Sequence, residues 1–237
     1  FTKMIAGAEL NVAMGLSRLG HSVSYMTQVG EDPFGEYIKD FLKKEQIDTS
    51  YIKETNEAPT GFQIKNQVDA GDPEVIYFRK GSAASKATKE LLRDVDFSGS
   101  KILHVTGIFP ALSKETREMT KELIQMAHQN GLMVTFDPNQ RPVLWDSEEQ
   151  MIKETNKLAC MCDIVMPGFR EGKLFTGLQT KEEIADFYLN EGVKYYSYDG
   201  HYFYTDYAVM LSDYQNNTNG QNAVNAGNAF YNFFQFK

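Results

Sequence analysis

Several things are scarce in this chain of 237 residues, and each absence narrows what it can be. Only two cysteines occur, Cys160 and Cys162, a spacing that suits neither a disulfide framework nor a four-ligand zinc site. A reduced, cytoplasmic protein is therefore expected. The four histidines, His21, His104, His128 and His201, lie far apart with no metal-type spacing, and they read as surface or structural residues. Basic residues are outnumbered, 24 against 32 acidic ones, for a formal net charge of -8. That balance excludes the basic stripes of a nucleic-acid partner and any attraction to an anionic membrane. It leaves room for a phosphorylated substrate, which needs only a few local donors. No apolar run is long enough to span a bilayer, and the start shows no signal-peptide pattern.

The remaining composition, 42% hydrophobic and 24% charged, can bury a sizeable core in one large domain with an excursion. A helical pattern starts at Gly7, with Val12, Leu16 and Leu19 on one face and Gly20 at its end. A strand over Val23–Thr27 leads through Gln28 to Gly35 into a helix over Pro33–Lys44, whose expected buried side is Phe34, Ile38, Phe41 and Leu42. Between Thr60 and Lys80 the rhythm changes to hairpin alternation around Asp69-Ala-Gly-Asp-Pro73. Strands over Ile102–Thr106, Leu132–Phe136 and Asp163–Met166 then alternate with helices over Ser113–Gln129 and Ser147–Leu158. Such alternation implies an α/β domain whose parallel sheet is covered on both faces.

The polar groups with the most chemical promise follow the apolar run Leu132–Phe136. Asp137, Asn139 and Arg141 come directly after it, between Pro138 and Pro142, with the lone Trp145 beyond. A parallel strand delivers such groups at its carboxyl end, where open α/β sheets place ligands, although an ordinary polar loop has the same local pattern. Tyr77 and Arg79 precede Gly81-Ser-Ala-Ala84 and read either as a solvated strand face or as a binding pair. Two guanidiniums, Arg79 and Arg141, suit a planar carboxylate through paired charge-assisted hydrogen bonds. Glu171, in the first turn after Met166-Pro-Gly168, reads locally as a helix cap.

Phe136-Asp-Pro-Asn-Gln-Arg-Pro-Val-Leu-Trp145 resembles the signature after a central strand in ribokinase-like sugar kinases, in the branch that phosphorylates 2-keto-3-deoxygluconate. Ala6-Gly7 to Asn11, Val29-Gly-Glu-Asp-Pro-Phe-Gly35, Tyr77-x-Arg79 with Gly81-Ser-Ala-Ala84, and Gly168 to Glu171 resemble further family segments in the same order. The resemblance implies a three-layer α/β/α sandwich with a mainly parallel central sheet and a small β-sheet lid. It implies a single kinase domain over 1–237, with a lid hairpin at about 60–80 and with the family's first strand and C-terminal helices absent from this sequence. Gly7 and Asn11 would hold sugar hydroxyls, and Tyr77, Arg79 and Arg141 the acidic sugar. Asp137, Asn139, Glu171, Gly200 and Asn225 would lie near the nucleotide phosphates, with Glu171 touching magnesium through water. Asp32 is assigned a structural role. ATP and Mg2+ are the implied cofactors, and a homo-oligomer through the lid the implied assembly. A fructokinase or another sugar kinase of the same fold is the alternative.

The segment Asn222-Ala-Val-Asn-Ala-Gly-Asn-Ala-Phe230 resembles the family's Asp-Thr-Val-Gly-Ala-Gly-Asp-Ala-Phe. In that motif a glycine-rich turn forms an anion hole and the last aspartate takes the proton from the attacking hydroxyl. Ala226 and Gly227 keep the turn, Asn225 replaces a glycine, and Asn228 stands where the base belongs. An amide cannot accept that proton at neutral pH, so a genuine Asn228 implies a non-catalytic sugar-acid-binding protein. Around this segment the composition shifts: eight of the thirteen tyrosines fall between Tyr195 and Tyr231, and no acidic residue follows Asp213. Aspartate and asparagine share one shape, and the expectation is that residue 228 of the native protein is aspartate. Peptide mass spectrometry across Gly227–Phe230 is expected to return aspartate. Asparagine there would remove that expectation and leave a chain whose turnover is slower by about 10²- to 10⁴-fold.

Overall fold

A computed structural model describes residues 2–66, 74–198 and 201–204. The chain forms two compact units, one of Phe1–Gly99 with Ile108–Met126, the other of Ser100–Gly107 with Ala127–Lys237.

The first unit opens with helix α1, Ala8–Arg18, followed by strand β1, Thr27–Gly30, helix α2, Pro33–Lys44, and strand β2, Ile52–Thr55. Strands β1 and β2 pair in parallel, from Thr27↔Ile52 to Gly30↔Thr55. β1 begins later than the apolar run suggests. Ser24 makes only an isolated bridge with Asp48, and the continuous ladder forms where Ile52–Thr55 is available as a partner. Leu10, Ala13, Leu42 and Ile47 form the core, with Ile5, Met14, Val23, Tyr25, Ile38 and Ile52 packed against it. The buried stripe of α1 is thus Leu10 and Ala13, not the expected Val12, Leu16 and Leu19, all of which are exposed. The three larger side chains do share a face, but the small Ala13 lies on the face that meets the core. On α2, Leu42 is buried as expected, whereas Phe34 is exposed and stacks on Phe62, ring centroids 5.3 Å apart.

Strands β3, Phe62–Lys65, and β4, Val75–Phe78, form the expected antiparallel hairpin, in register Phe62↔Phe78 and Ile64↔Ile76. Because side chains alternate across a strand, Phe62, Ile64, Ile76 and Phe78 share one face. Tyr77 and Val75 take the other with Gln63 and Lys65, so Val75 and Tyr77 are not on the side of Phe62 and Ile64. The turn at Asp69–Pro73 lies outside the described residues.

The second unit carries strands β5, Ile102–Thr106, β6, Met133–Asp137, β7, Ile164–Val165, β8, Tyr195–Tyr198, and β9, His201–Tyr204, in the order β5-β6-β7-β8-β9. The first four are parallel and β9 runs antiparallel at the edge. Helix α3, Lys114–Gln129, begins in the first unit and ends in the second; α4, Glu148–Ala159, α5, Phe169–Thr176, and α6, Lys181–Asn190, lie wholly in the second. Ser113 and Ser147 cap α3 and α4, accepting from Thr116 N at 3.1 Å and Gln150 N at 3.1 Å. Val134, Phe136, Ile164 and Val165 are fully buried, as the central strands of a covered parallel sheet must be.

Asp163 ties this sheet together at the amino end of β7. Its carboxylate accepts from Val134 N at 2.7 Å, pairs with Lys194 Nζ at 2.7 Å, and meets His128 Nε2 at 3.0 Å. Burial alone would raise this carboxyl, but Lys194, the Val134 N–H and His128 outweigh it and hold the group below its ordinary 3.8. A depressed carboxylate stabilises the fold fully above its unfolded value and loses that contribution as pH falls through the folded one. Asp163→Asn is therefore expected to lose about 2 kcal/mol near neutrality. In denaturant melts the gap to the parent should begin to narrow as pH falls below about 3.8 and go on narrowing through the depressed folded value; a gap independent of pH would contradict the assignment.

Candidate functional site

The register Thr106↔Asp137 brings the carboxyl ends of β5 and β6 level. Gly107 continues the contact: its N–H donates to Asp137 O at 2.8 Å, and a Cβ at this position would collide with the Pro138 carbonyl. Only glycine lets the two chain segments approach this closely, which is how the loop after β6 is seated at the edge where parallel sheets present their ligand groups. Asp137 is the last residue of β6 rather than the first beyond it, because the strand is shifted one residue from the expected Leu132–Phe136.

From that end the chain turns sharply. Asp137 Oδ1 accepts from Asn139 N at 3.1 Å, and Oδ2 lies 3.4 Å from Asn139 Nδ2. Asn139 has a left-handed backbone, φ 38°, a conformation that asparagine tolerates better than most side chains. The turn directs the Asn139 and Gln140 carbonyls at Arg141, whose Nη1 donates to them at 3.2 and 2.7 Å. Pro142–Leu144 then forms one 3-10 turn, which ends the loop at Trp145.

Glu171 fastens this loop to the next one. It occupies the first turn of α5, where Oε2 accepts from Gly168 N at 2.9 Å, the half of a capping box that a glycine N-cap permits. Its other oxygen, Oε1, accepts from Gln140 N at 2.7 Å. One carboxylate thus bridges the chain leaving β6 and the chain leaving β7. Gln140 contributes through its backbone alone, and no side-chain pattern in the sequence could have singled it out.

In the first unit, Gly7 is the N-cap of α1 and accepts from Asn11 N at 2.9 Å, with the Asn11 side chain on the exposed side of the first turn. Tyr77 and Arg79 form a pair: Arg79 Cζ lies 4.0 Å from the Tyr77 ring centroid. The guanidinium sits over the face of the phenol ring, a cation–π contact. The structure therefore gathers the candidates as Gly7 with Asn11, Tyr77 with Arg79, and Asp137, Asn139 and Arg141 with Glu171. Gly200, Asn225, Ala226, Gly227 and Asn228 lie outside the described residues.

Residues 1–196 match the family described as pfkB family carbohydrate kinase. The chain belongs to the pfkB family of carbohydrate kinases. Among relatives of this pfkB chain, a 2-dehydro-3-deoxygluconokinase of Bacillus subtilis is 44% identical over 211 residues, covering 86% of this chain and 65% of the relative. A 5-dehydro-2-deoxygluconokinase of Clostridium perfringens is 29% identical over 199 residues, covering 82% of this chain and 59% of the relative. The chain thus spans less than two thirds of the length of either. The crystal structure of a PfkB protein from Polaromonas sp. JS666 superposes with a TM-score of 0.78 at 39% identity, over 84% of this chain and 68% of that one. The fold is the ribokinase-like α/β sandwich of this family, as the order of motifs implied.

In Glu171→Ala both acceptors vanish together, leaving the Gln140 and Gly168 N–H groups without their carboxylate. The expected result is a loss of about 1–2 kcal/mol in equilibrium unfolding, with faster amide exchange at Gln140 and Gly168. Unchanged exchange at Gln140 would show that the loop is held by other contacts.

Proposed function

We propose that this chain is the sugar- and phosphate-handling part of an ATP-dependent kinase that transfers the γ-phosphoryl group to the terminal hydroxyl of 2-keto-3-deoxygluconate. In this reading residues 1–237 belong to one kinase domain, cytoplasmic, with residues 60–80 as its lid. The observation that carries it is the state of Arg141. Its Nη1 is spent on two carbonyls of its own loop, and among the described residues no carboxylate pairs with it. The guanidinium is held in place while its charge is left for an incoming anion. Arg79, which lies over the Tyr77 ring, is the second guanidinium of this reading, and a pair of guanidiniums would suit the carboxylate of a sugar acid. The identity with the Bacillus subtilis 2-dehydro-3-deoxygluconokinase supports the same substrate, 2-dehydro and 2-keto being one group.

Gly7 and Asn11 would meet the sugar hydroxyls, and the loop of Asp137 and Asn139 the phosphates. Among the described residues no group of three or more His, Cys, Asp or Glu could hold a metal by itself. Magnesium would be carried mainly by the nucleotide phosphates and touched through water, with Glu171 as the residue to hold it, since this ion retains waters and takes one or two carboxylates. When bound, magnesium neutralises the charge that develops on the transferring phosphoryl. The apolar hairpin face of Phe62, Ile64, Ile76 and Phe78, each 39–53% exposed, favours pairing with a second copy through the lid.

A second reading has its own observation. With Asn228 genuine, the base is missing and the chain is a sugar-acid-binding protein, recognised by calorimetric binding of the acid without ADP release. The first reading is tested on the full-length protein by coupled ADP release with a panel of sugars and sugar acids. Arg79→Met and Arg141→Met are each expected to lower kcat/KM for the acid by about 10- to 100-fold, while sparing neutral sugars. Unchanged use of the acid would favour a fructokinase or another neutral-sugar kinase of this fold.

A further inference from the structure

Asp32 caps α2, yet the cap uses only one of its oxygens. Oδ1 accepts from Phe34 N at 3.0 Å and Gly35 N at 2.9 Å. Oδ2 reaches 28 residues along the chain to accept from Thr60 N at 2.7 Å. Thr60 is 4% exposed, and its hydroxyl accepts in turn from Gly30 N at 2.9 Å. The knot is tight enough to dictate glycine at 30: a Cβ there would run into the Asp32 carboxylate and come within 2.7 Å of Thr60 N.

Thr60 belongs to the root of the β3–β4 hairpin. One leg is Pro59–Gly61 and the other Arg79–Ala83, joined by Ala83 N donating to Pro59 O at 2.8 Å. The legs are close packed, since a Cβ on Gly61 would stand 3.2 Å from Ser82 Cβ and 3.7 Å from Arg79 Cα. A two-stranded hairpin has little stability of its own, so the position of its side chains depends on what holds its root. On the apolar face, the Phe62 ring stacks on Phe78 at 4.6 Å and on Phe34 at 5.3 Å. On the polar side the anchor is Asp32.

We propose that Asp32 is a positioning residue for the sugar acid: its carboxylate pins the hairpin root to the start of α2 and thereby fixes where Tyr77 and Arg79 stand. The inference rests on the sugar-acid reading of Arg79. The partners of Asp32 are all donors, the N–H groups of Phe34, Gly35 and Thr60 with the Thr60 hydroxyl, so both oxygens must accept, and an amide in its place would turn a donor on one of them. Partial burial works against the ionised form, but the N–H of Thr60, the N–H of Gly35, the Thr60 hydroxyl and the N–H of Phe34 outweigh it and keep the carboxyl below its ordinary range.

Asp32→Asn and Asp32→Ser separate this role from helix capping, because asparagine and serine cap helices as well as aspartate does. Neither presents a second acceptor to Thr60. In the full-length enzyme the expected result is a KM for 2-keto-3-deoxygluconate raised about tenfold with kcat changed by less than about twofold, as for a displaced positioning group. The KM for ATP should not move. Amide exchange at Thr60 and along Phe62–Lys65 should quicken while α2 keeps its protection. Thr60→Val, which leaves the cap intact and removes the acceptor for Gly30 N, should shift the same KM and stands in if an Asp32 variant fails to fold. Arg79→Met is measured alongside. If it raises the KM and the variants at 32 and 60 do not, the clasp has no positioning role and the proposal falls alone. If Arg79→Met leaves the KM unchanged, the sugar-acid reading fails and this inference falls with it.

Discussion

A single carboxylate, Glu171, decides the shape of the edge on which the second unit's candidate groups stand. Loops that leave a parallel sheet carry backbone N–H groups with no neighbouring strand to accept them, and an unpaired N–H is costly wherever water is excluded. Glu171 takes one from the chain after β6 and one from the chain before α5. Asp32 does the same from the N-cap of α2, with one oxygen on its own helix and the other on Thr60 N. Everything downstream of Glu171 follows from its span. Gln140 is fixed by its backbone, its carbonyl and that of Asn139 point at Arg141, and the guanidinium is braced before any ligand arrives.

The two arginines are held by different means, and the difference bears on specificity. Arg141 is fixed by hydrogen bonds to carbonyls, which consume one nitrogen and set the direction of the others. Arg79 lies over the Tyr77 ring, its Cζ 4.0 Å from the centroid, in a contact between charge and π-face. A lysine could replace neither, since an ammonium has no plane to stack and no rigid fork to present. Arg79 also stands on a hairpin, and Arg141 on a loop seated against the sheet by Gly107. Each support rests on one carboxylate that accepts a distant backbone N–H: Asp32 from Thr60 at the hairpin root, and Glu171 from Gln140 beside Arg141.

Much of this was readable from the residues. The helix over Pro33–Lys44 shows in the turn that leads into it from Gln28 to Gly35, the hairpin in its alternation, and the strand Ile102–Thr106 in its place within the β–α alternation. Where reading failed, the cause was tertiary. On α1 the sequence offers Val12, Leu16 and Leu19 as an apolar stripe, but the face that meets Leu42 and Ile47 is the one carrying Leu10 and Ala13. Strand β2 has two charged residues in four and gains its place from pairing with β1, not from any apolar pattern. Helix α6 does carry a local signature, the reciprocal capping box of Thr180 and Glu183 ahead of the buried Ile184, Ala185 and Tyr188. The candidate residues were found as types and spacings. Their supports, the Gln140 N–H and the Gly107 contact, act through backbone and leave no side-chain signature.

This division between supports and reacting groups bears on what Asn228 would mean. In phosphoryl transfer little covalent work falls to the protein, and positioning with charge stabilisation supplies most of the acceleration. A missing base removes about 3–5 kcal/mol from the barrier reduction, whereas the contacts that orient the sugar act before any proton moves. The two arginines and their supports lie far from residue 228 in sequence, in segments that the family match covers. Under the proposed reading, binding of the acid and its turnover would be separable. An amide at 228 would slow turnover by about 10²- to 10⁴-fold without touching the arginines, so affinity for the sugar acid, not rate, would be the quantity that reports on them.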